Sequence, residues 1–358
     1  MTQLRTVQVL GGGSAGSSAH VRSLAAGLVA RGVRVTVCAP AELDHIYDFP
    51  GAGARFAPVP RRSDPGAVGA LRAACADADV VHAHGLHAAL RAALALSGQR
   101  VPLVVTWHTR SHHEGARGPV LRLLERRAAR AASVVLGTCS ELVDRARRRG
   151  ARDARLAPVA LPAPHGGTDA ESKARAELGS VDRPLLLAVG SLAPHRGYET
   201  LLDAARLWRG MDPVPLVVVA GEGSGRGALQ RRIDVEELPV RLVGCRDDIA
   251  DLLSVADVAL LPSRWEARSL LAQEALRLGT PLVATAVGGI PELVGDAAEL
   301  IPYGDPVALA ETVARLLGDP ERRGELAAAG RVQAGMWPTE DETVAQVLSV
   351  YDEVVARG

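Results

Sequence analysis

The sequence predicts an α/β fold in two halves, each built of parallel strands linked by helices. Short Val/Leu-rich runs alternate with longer Ala/Leu/Arg segments at helical period, which is typical of parallel strands linked by helices. This pattern occurs twice, and a Pro- and Gly-rich segment at 157–168 separates the two halves. At 358 residues with 47% hydrophobic content, the chain is long enough for two domains of ordinary size.

The strand candidates follow one another in the same way in both halves of the chain. In the first half they are the runs 6–10, 33–37, 80–83, 103–107, 133–137 and 154–156, and in the second half 184–189, 216–220, 241–243, 258–262 and 282–285. The last helix is predicted to begin after Pro338, because Thr339 and Glu342 have the spacing of a capping box, and to end at about residue 355.

Charge and composition favour a cytoplasmic protein without a nucleic-acid partner. The 41 basic residues balance the 41 acidic ones, so no overall field attracts nucleic acid. The N-terminal residues lack the basic and apolar regions of a signal peptide, and no uncharged apolar run is long enough to span a bilayer. The cysteines form no C-x-x-C pair and lie mostly in apolar runs, which is typical of reduced thiols in a protein interior: Cys38, Cys75, Cys139 and Cys245.

Basic residues accumulate in the segment 117–149, and two interpretations of them stay open. An amphipathic basic helix can lie on an anionic membrane, which would make the protein peripheral at the inner face of the membrane. Arginine-rich helix faces that are only solvated are commoner. The segment includes Arg122, Arg126, Arg127, Arg130 and the run 147–149.

The most informative local pattern is a pair of acids, Glu266 and Glu274, placed eight residues apart. They follow the strand candidate that ends at residue 262 and precede the helix breaker Gly279. If Glu266 ends a loop and Glu274 lies two turns into the next helix, the pair spans roughly 12 Å, which is about the reach of a sugar diphosphate. Two acids on a solvated helix are the alternative.

Segment 266–274 resembles the E-x7-E motif of retaining glycosyltransferases, in particular glycosyltransferase family 4 with the GT-B fold, and segment 278–292 is also similar to that family. The surrounding strand, helix and Gly-Gly turn favour the motif over two solvated acids. The resemblance implies two Rossmann-like lobes that face each other across a cleft, with a C-terminal helix that crosses back to the first lobe. It also implies an acceptor-side lobe at 1–165 with 338–358, and a nucleotide-sugar lobe at 166–337.

The loop after the first strand has the pattern G-x-G-x-x-G from Gly11 to Gly16, which alone indicates a dinucleotide site and an NAD(P)-dependent oxidoreductase. Such a site also needs an acid at the end of the second strand to hold the ribose, and that strand ends at Cys38-Ala-Pro. The glycines therefore favour a close approach of backbone N–H groups to a phosphate or an acceptor. By the resemblance, the loop contributes Gly13 on the donor side, and Gly12 and Ser14 on the acceptor side.

Histidines near the ends of two further strands resemble first-lobe segments of the family. Segment 79–85 is similar to the strand end that faces the acceptor, which implies acceptor contacts for His82 and His84. Segment 102–109 is similar to the T-x-H segment, which implies that His108 lies near the donor sugar. Metal ligation by His82 and His84 is the alternative, because alternate residues of a strand point to one face. No third ligand occurs at a suitable spacing, so no metal is predicted.

Segment 189–197 resembles the family's V-G-R-L-x-x-x-K-G, and two positions depart from it. Ser191 replaces a basic residue, while Arg196 replaces a lysine and offers a bidentate guanidinium to a diphosphate. The family's G-F-G after the first acid is Ala-Arg-Ser here, so we hypothesise that Arg268 restores the charge that is lost at Ser191. A solvent-facing arginine at a helix start is the alternative.

Further donor-side positions follow from the resemblance alone. The loop after the second strand of this lobe is similar to the family's G-x-G, which implies that it borders the nucleotide. The two glycines at 288–289 precede a helix and are predicted to offer N–H groups to a phosphate. The additional donor-side residues are Ser191, Gly221, Gly223, Ser269 and Leu270.

The resemblance implies a retaining glycosyltransferase that needs no metal and no cofactor, because cationic side chains stabilise the leaving diphosphate. Its donor is a nucleotide diphosphate sugar, with UDP or GDP as the nucleotide, and its acceptor hydroxyl belongs to a small molecule, a lipid or a glycan. Arg196 would hold the diphosphate, Glu266 and His108 the transferred sugar, and Glu274 the ribose. Two alternatives stay open: a catalytically weak GT-B protein that binds a nucleotide sugar, and an NAD(P)-dependent oxidoreductase.

Overall fold

The structure of the chain, a computed structural model, describes residues 3–11, 15–60, 65–110, 118–160 and 171–357. The chain divides into two units, which we call unit 1 (Met1–Pro162 with Pro338–Gly358) and unit 2 (Ala163–Trp337). The lobe boundary that the sequence predicts at residue 165 lies outside the described residues.

Unit 1 is built on a parallel sheet. Its strands are β1 (Arg5–Leu10), β2 (Arg34–Ala39), β3 (Arg55–Pro58), β4 (Val80–His84), β5 (Leu103–Trp107), β6 (Val134–Gly137) and β7 (Ala154–Leu156). The helices between them are α1 (Ala15–Ala30), α2 (Ala41–Tyr47), α3 (Pro65–Ala74), α4 (Leu86–Ala95), α5 (Gly118–Ala131) and α6 (Ser140–Arg148). The strand order is β3-β2-β1-β4-β5-β6-β7, with neighbours parallel, so the direction in which strands are added reverses between β1 and β4.

Unit 2 repeats this architecture. Its strands are β8 (Leu185–Val189), β9 (Leu216–Ala220), β10 (Val240–Gly244), β11 (Val258–Leu261), β12 (Leu282–Thr285) and β13 (Glu299–Ile301). Its helices are α7 (Glu171–Leu178), α8 (Tyr198–Trp208), α9 (Arg226–Val235), α10 (Ile249–Val255), α11 (Leu270–Leu278), α12 (Ile290–Val294), α13 (Pro306–Gly318) and α14 (Pro320–Gly335). The parallel strands have the order β10-β9-β8-β11-β12-β13, which reverses between β8 and β11.

The last helix, α15 (Glu340–Ala356), returns to unit 1 as the resemblance implies. The hydroxyl of Thr339 accepts a hydrogen bond from the Glu342 N–H, and the Glu342 carboxylate accepts one from the Thr339 N–H, so the predicted capping box is confirmed. The helix packs against α1 and places Val344 and Tyr351 in the core of unit 1. Residues 338–357 are therefore part of the interior of a unit that begins more than 300 positions earlier.

Burial on both faces of each sheet explains why the apolar runs form parallel strands. Every residue of β4, β5 and β9 is buried, as expected where helices cover both faces. The predicted strands are confirmed to within one or two residues at their ends. The sequence-based prediction misses β3 and β13, which lie at the edges of the two sheets.

Two further expectations concern the membrane and the cysteines. Within the described ranges, no helix combines the length and the apolar character that crossing a bilayer requires. All four cysteines are free thiols, and three of them are buried. Cys245 is exposed just after β10, so the expectation of a buried thiol is wrong for this residue.

Candidate active site

Each sheet has a point at which its strand order reverses, and ligands of such folds bind at the carboxyl ends of the strands near that point. In unit 1 this point lies between β1 and β4, and in unit 2 between β8 and β11. The predicted site residues in the described ranges lie in β4 or in the segments that follow these strands and their neighbours. They form two sets, one in each unit.

Arg196 ends a short turn that leads from β8 into α8. The turn, Pro194–Arg196, is followed by Gly197 in the left-handed conformation, with φ 72°. A Cβ atom at Gly197 would lie 1.9 Å from the carbonyl oxygen of Pro262, so only glycine allows this turn to rest on the end of β11. The close approach places the Arg196 turn directly beside the segment that carries Glu266. Ser191, in the same loop, is exposed.

The predicted glycine loop after β9 packs against the loop after β8. Gly221 has φ 149°, and a Cβ atom there would lie 2.0 Å from the carbonyl oxygen of Gly190. A Cβ atom at Gly223 would lie 2.8 Å from the backbone nitrogen of Leu192, whose N–H donates to the Glu222 carbonyl at 2.9 Å. Gly221 and Gly223 therefore allow two loops to touch through their backbones, which is a role that the sequence pattern did not indicate.

The loop that carries Glu266 is held on several sides. The Arg264 N–H donates to the carbonyl of His195 at 2.9 Å, and the Gly289 N–H donates to the carbonyl of Glu266 at 2.9 Å. The hydroxyl of Thr285 donates to the carbonyl of Ser263 at 2.6 Å. These bonds fix the Glu266 backbone. They also correct one prediction, because the Gly289 N–H is used within the protein and is not offered to a phosphate.

Arg196 and Glu266 form an ion pair in which Nη1 of Arg196 donates to Oε1 of Glu266. Their side chains are 24% and 14% exposed, so solvent screens the pair only partly. Burial raises the pKa of Glu266, and the charge of Arg196 opposes that shift. The sequence assigned these residues to different parts of a donor, and the structure brings them into contact with each other.

The start of α11 carries the remaining predicted donor residues. Ser269 is its N-cap, with a hydroxyl that accepts from the Ala272 N–H at 3.4 Å, and Leu270 is its first residue. Glu274 lies in the second turn, as the motif predicts, and burial raises its pKa, while Arg277 opposes the shift. The motif geometry of a loop acid followed by a helix acid is therefore present.

Arg268 lies against an aromatic ring. Its guanidinium carbon is 5.6 Å from the ring centroid of Trp337, and the guanidinium carbon of Arg277 is 5.7 Å from the same centroid. The indole N–H of Trp337 donates to the Leu293 carbonyl at 3.0 Å. The role on a diphosphate that we hypothesise for Arg268 would thus need its side chain to act from a position over Trp337.

In unit 1, His82, His84 and His108 belong to one buried polar network. The ring nitrogens of His82 contact the Tyr351 hydroxyl and the Thr106 hydroxyl, both at 2.7 Å. Nδ1 of His84 lies 3.2 Å from Nε2 of His108, and Nε2 of His84 lies 3.0 Å from Oε1 of Gln8. His82 is buried with both nitrogens engaged, so we assign it to this network and not to direct contact with an acceptor.

Burial keeps these rings neutral. It lowers the pKa of His20, whose ring centroid lies 5.5 Å from that of His108, to about 4, and the pKa of His82 to about 3. Burial also holds the pKa of His84 and of His108 well below the usual value, and neighbouring histidines add to the shift. Across the residues that the structure describes, no group of three or more His, Cys, Asp or Glu side chains could hold a metal ion.

Several predicted or relevant residues need separate mention. The acceptor- and donor-side loop residues Gly12, Gly13 and Ser14 lie outside the described residues. The network members Gln8, Thr106 and Tyr351, and the neighbouring ring of His20, were not among the predicted site residues. The only sequence signal for Tyr351 was the expected return of the last helix to the first lobe, and that signal named no residue.

Two family models match the sequence, one in each unit. The model described as "Glycosyl transferase 4-like domain" matches residues 15–162, and the model described as "Glycosyl transferases group 1" matches residues 170–333. They follow each other in the order that the resemblance implies for an acceptor-side and a donor-side lobe.

Curated relatives match over most of the chain. The D-inositol 3-phosphate glycosyltransferase of Salinispora tropica is 32% identical over an alignment that covers 87% of this chain and 72% of that protein. The alpha-D-kanosaminyltransferase of Streptomyces kanamyceticus is 34% identical, and the alignment covers 63% of this chain and 64% of that protein. Both are named as glycosyltransferases.

Solved structures match the fold. Anabaena HepE in complex with UDP and glucose has a TM-score of 0.84 at 19% identity, covering 98% of this chain and 100% of that chain. Sucrose-phosphate synthase from Thermosynechococcus elongatus has a TM-score of 0.82 at 21% identity, covering 99% and 100%. With two parallel, doubly wound sheets, this likeness confirms the predicted GT-B fold. The chain belongs to glycosyltransferase family 4, the group 1 glycosyl transferases, and is a glycosyltransferase enzyme.

Proposed function

We propose that the protein transfers a sugar from a nucleotide diphosphate sugar to an acceptor hydroxyl, with retention at the anomeric carbon and without a metal ion. The observation that carries the proposal is the Arg196–Glu266 pair at the strand-order reversal of unit 2. A cation and a carboxylate side by side suit a donor that carries a diphosphate next to sugar hydroxyls. The Anabaena HepE complexes with UDP and with UDP-glucose support UDP as the first nucleotide to test.

The pair gives each residue a role in this reaction. A diphosphate next to Arg196 would draw the guanidinium away from Glu266, and the freed carboxylate would accept hydrogen bonds from hydroxyls of the transferred sugar. The bond from the anomeric carbon to the diphosphate oxygen breaks, and the bond to the acceptor oxygen forms on the same face. The acceptor proton passes to the leaving diphosphate, whose negative charge Arg196 stabilises.

Other residues keep the roles that the resemblance implies. Glu274 would hold the ribose hydroxyls and His108 the transferred sugar. His84 was predicted on the acceptor side, but it is buried with both ring nitrogens engaged, so the argument that removes His82 from acceptor contact applies to it as well. The name of the Salinispora tropica relative makes D-inositol 3-phosphate a sensible first acceptor to test.

Donor binding can be tested by thermal unfolding in the presence of UDP, GDP, ADP and dTDP sugars, with NAD(H) and NADP(H) as controls. A ligand at 100 times its Kd stabilises the folded state by about 2.7 kcal/mol. We expect one nucleotide sugar to raise the Tm and the nicotinamides to leave it unchanged. Stabilisation by a nicotinamide alone would overturn the proposal.

Transfer can then be tested with the donor so identified, in the presence of EDTA, with the anomeric configuration of the product read by NMR. We expect an α-linked product from an α-linked donor, formed without added metal. In Glu266→Gln we expect turnover to fall at least 100-fold while the nucleotide alone still binds, because the carboxylate is proposed to contact the sugar. Donor binding without transfer to any acceptor would favour the catalytically weak nucleotide-sugar-binding protein, for which the exposed Ser191 is the main argument.

We also propose a cytoplasmic location with a peripheral membrane contact through α5. Arg145 and Arg149 pair with the buried Glu125, so these two arginines belong to the interior packing of unit 1. By contrast, α5 exposes Val120 and Leu123, at 58% and 62%, beside four exposed arginines: Arg122, Arg126, Arg127 and Arg130. Such a face suits an anionic bilayer.

Sedimentation with vesicles tests this contact. We expect the protein to bind vesicles that contain anionic lipid, to release at high salt, and to lose binding in Leu123→Glu. Equal binding to neutral vesicles, or none to anionic ones, would leave the basic helix as a solvated face.

A further inference from the structure

We propose that Gln8, acting through His84, fixes His108 in the tautomer that carries its proton on Nε2, so that Nδ1 accepts a hydrogen bond from a hydroxyl of the transferred sugar. The sugar contact rests on the proposed function. The tautomer rests on the hydrogen bonds of unit 1 alone. Gln8 and His84 are therefore positioning residues for His108.

The first step is the orientation of the Gln8 amide. Nε2 of Gln8 donates to the hydroxyl of Thr6 at 3.0 Å and to the hydroxyl of Tyr351 at 2.9 Å. The amide oxygen therefore faces His84, 3.0 Å from its Nε2. An amide oxygen only accepts, so Nε2 of His84 carries the proton and donates.

The second step passes this assignment to His108. A neutral imidazole has one N–H and one acceptor nitrogen, so Nδ1 of His84 is the acceptor. Nε2 of His108 lies 3.2 Å from it and is left to donate. Nδ1 of His108 then has a lone pair and no proton, and among the described residues it has no hydrogen-bond partner.

The third step concerns the hydrogen bonds of Tyr351 and His82 in the same network. The oxygen of Tyr351 accepts from Gln8, so its proton is directed to Nδ1 of His82 at 2.7 Å. Nε2 of His82 then donates to the hydroxyl of Thr106 at 2.7 Å. Every contact has one donor and one acceptor without any charged ring, which agrees with the low pKa that burial imposes on these histidines.

The opposite orientation of the Gln8 amide gives the opposite prediction. Its NH2 group would then donate to Nε2 of His84, Nδ1 of His84 would donate to His108, and His108 would carry its proton on Nδ1. A sugar hydroxyl would meet a donor in place of an acceptor. The proton position on His108 thus reports directly which arrangement the protein adopts.

The experiment is a long-range 1H–15N correlation spectrum of the full chain labelled with 15N-histidine, recorded at pH 7.5, with His108 assigned from the signals that vanish in His108→Asn. We expect the pattern of a single Nε2–H tautomer for His108. A Nδ1–H tautomer, an equal mixture or an imidazolium would overturn the proposal. No substrate is needed, so this result does not depend on transfer activity.

Two variants test whether Gln8 sets the tautomer of His108 through His84. Gln8→Leu removes the amide, and we expect His108 to become a mixture of tautomers. The matched control is Thr138→Val at the carboxyl end of the neighbouring strand β6, where the buried hydroxyl has no hydrogen-bond partner in the described part of the chain. The control is expected to keep the Nε2–H tautomer. An unchanged His108 in Gln8→Leu would overturn the role of Gln8, and the spectrum of the unmodified protein remains decisive if that variant does not fold.

Addition of UDP-glucose, with UDP as the control, separates this inference from the proposed function. If UDP-glucose binds and shifts the Nδ1 resonance of His108 while UDP alone does not, the sugar contact is supported. If UDP-glucose binds without moving that resonance, the sugar contact at Nδ1 is wrong although the protein uses the donor. If neither ligand raises the Tm, the choice of UDP as nucleotide fails, and the tautomer result stands on its own.

Discussion

Arg196 and Glu266 are the residues on which the proposed chemistry depends most. The sequence predicted both from the motifs in which they lie. It did not predict that they would pair, because they are 70 positions apart and belong to different motifs. The pairing follows from the close approach of Gly197 to Pro262, which is a property of the folded loops.

Removal of Arg196 tests how strongly its charge affects the pKa of Glu266 and the stability of the fold. In Arg196→Ala, the carboxylate keeps its burial and loses the charge that opposes the rise of its pKa, so that pKa should rise further. We expect the free energy of unfolding at pH 7.5 to fall by about 1.5–3 kcal/mol, as for a hydrogen bond to a charged group, and donor binding to weaken. Urea unfolding measures the first effect. Arg196→Lys should retain part of the stability and part of the donor affinity. If Arg196→Ala is as stable as the wild type, the ion pair contributes nothing to the free energy of unfolding.

Arg268 offers a second test with a matched partner. In Arg268→Ala we expect the donor Kd to rise about fivefold or more, if the guanidinium supplies the charge that is missing at Ser191. Arg277→Ala loses the same kind of contact with Trp337 and serves as the control for stability. Calorimetric titration with the nucleotide diphosphate measures the difference. Equal donor affinity in wild type and Arg268→Ala would remove Arg268 from the donor site.

At the scale of elements, the loops after β8 and β9 show why glycine occurs where it does. The family resemblance implies that Gly221 and Gly223 border a nucleotide, which stays a prediction. The structure adds that backbone atoms of the two loops occupy the space of any side chain there. Tertiary packing of this kind has no signature in a single sequence.

Gly221→Ala should therefore lower the free energy of unfolding, and Gly227→Ala should not. At Gly221, φ is 149° and an added Cβ would meet the Gly190 carbonyl oxygen, so we expect a loss of about 2 kcal/mol or more in the free energy of unfolding. Gly227 lies in α9 with no atom within 4 Å of an added Cβ, so alanine should stabilise by about 0.5–1 kcal/mol. Urea denaturation of both variants checks the pair. A tolerated Gly221→Ala would show that the two loops can separate.

The elements that the sequence did not predict share a physical cause. β3 and β13 lie at sheet edges, have four and three residues, and bury few of their side chains, so they lack the continuous apolar runs that mark the central strands. α15 was predicted to within one residue at its start and its end, because the capping box is a local signal that needs no tertiary contact. Prediction worked mainly where the signal was local or strongly apolar. β7 is the exception, because it was predicted although it is a three-residue edge strand without a buried residue.

At the scale of the whole molecule, the histidine network predicts sensitivity to acid. The pKa of His20 is about 4 in the folded state, below its ordinary value of 6.5, so between these values the unfolded chain binds a proton that the folded chain does not. Stability is complete above about pH 6.5 and should fall by about 1.4 kcal/mol per pH unit for each such histidine as the pH drops. For His82, whose pKa is about 3, the loss of stability continues down to about pH 3.

His20→Gln checks this prediction. Urea unfolding of the variant between pH 6.5 and 4 should show a decline shallower than that of the wild type by about 1.4 kcal/mol per pH unit. Parallel declines in the two proteins would mean that His20 has the same pKa in the folded protein as in the unfolded chain.

The return of α15 to unit 1 also has a consequence for the order in which the protein is made. Gln8 and His82 leave the ribosome early, yet their phenol partner Tyr351 is synthesised only after the whole of unit 2. At roughly 5–20 residues per second, the wait is on the order of ten seconds or more. Unit 2 is continuous in sequence, so the later-made unit is expected to reach its native state before the earlier-made one. In ribosome-bound chains of residues 1–337 extended by an unstructured linker that fills the exit tunnel, protease should cut segment 3–160 faster than segment 171–337. Until α15 emerges, that first segment is expected to need chaperones.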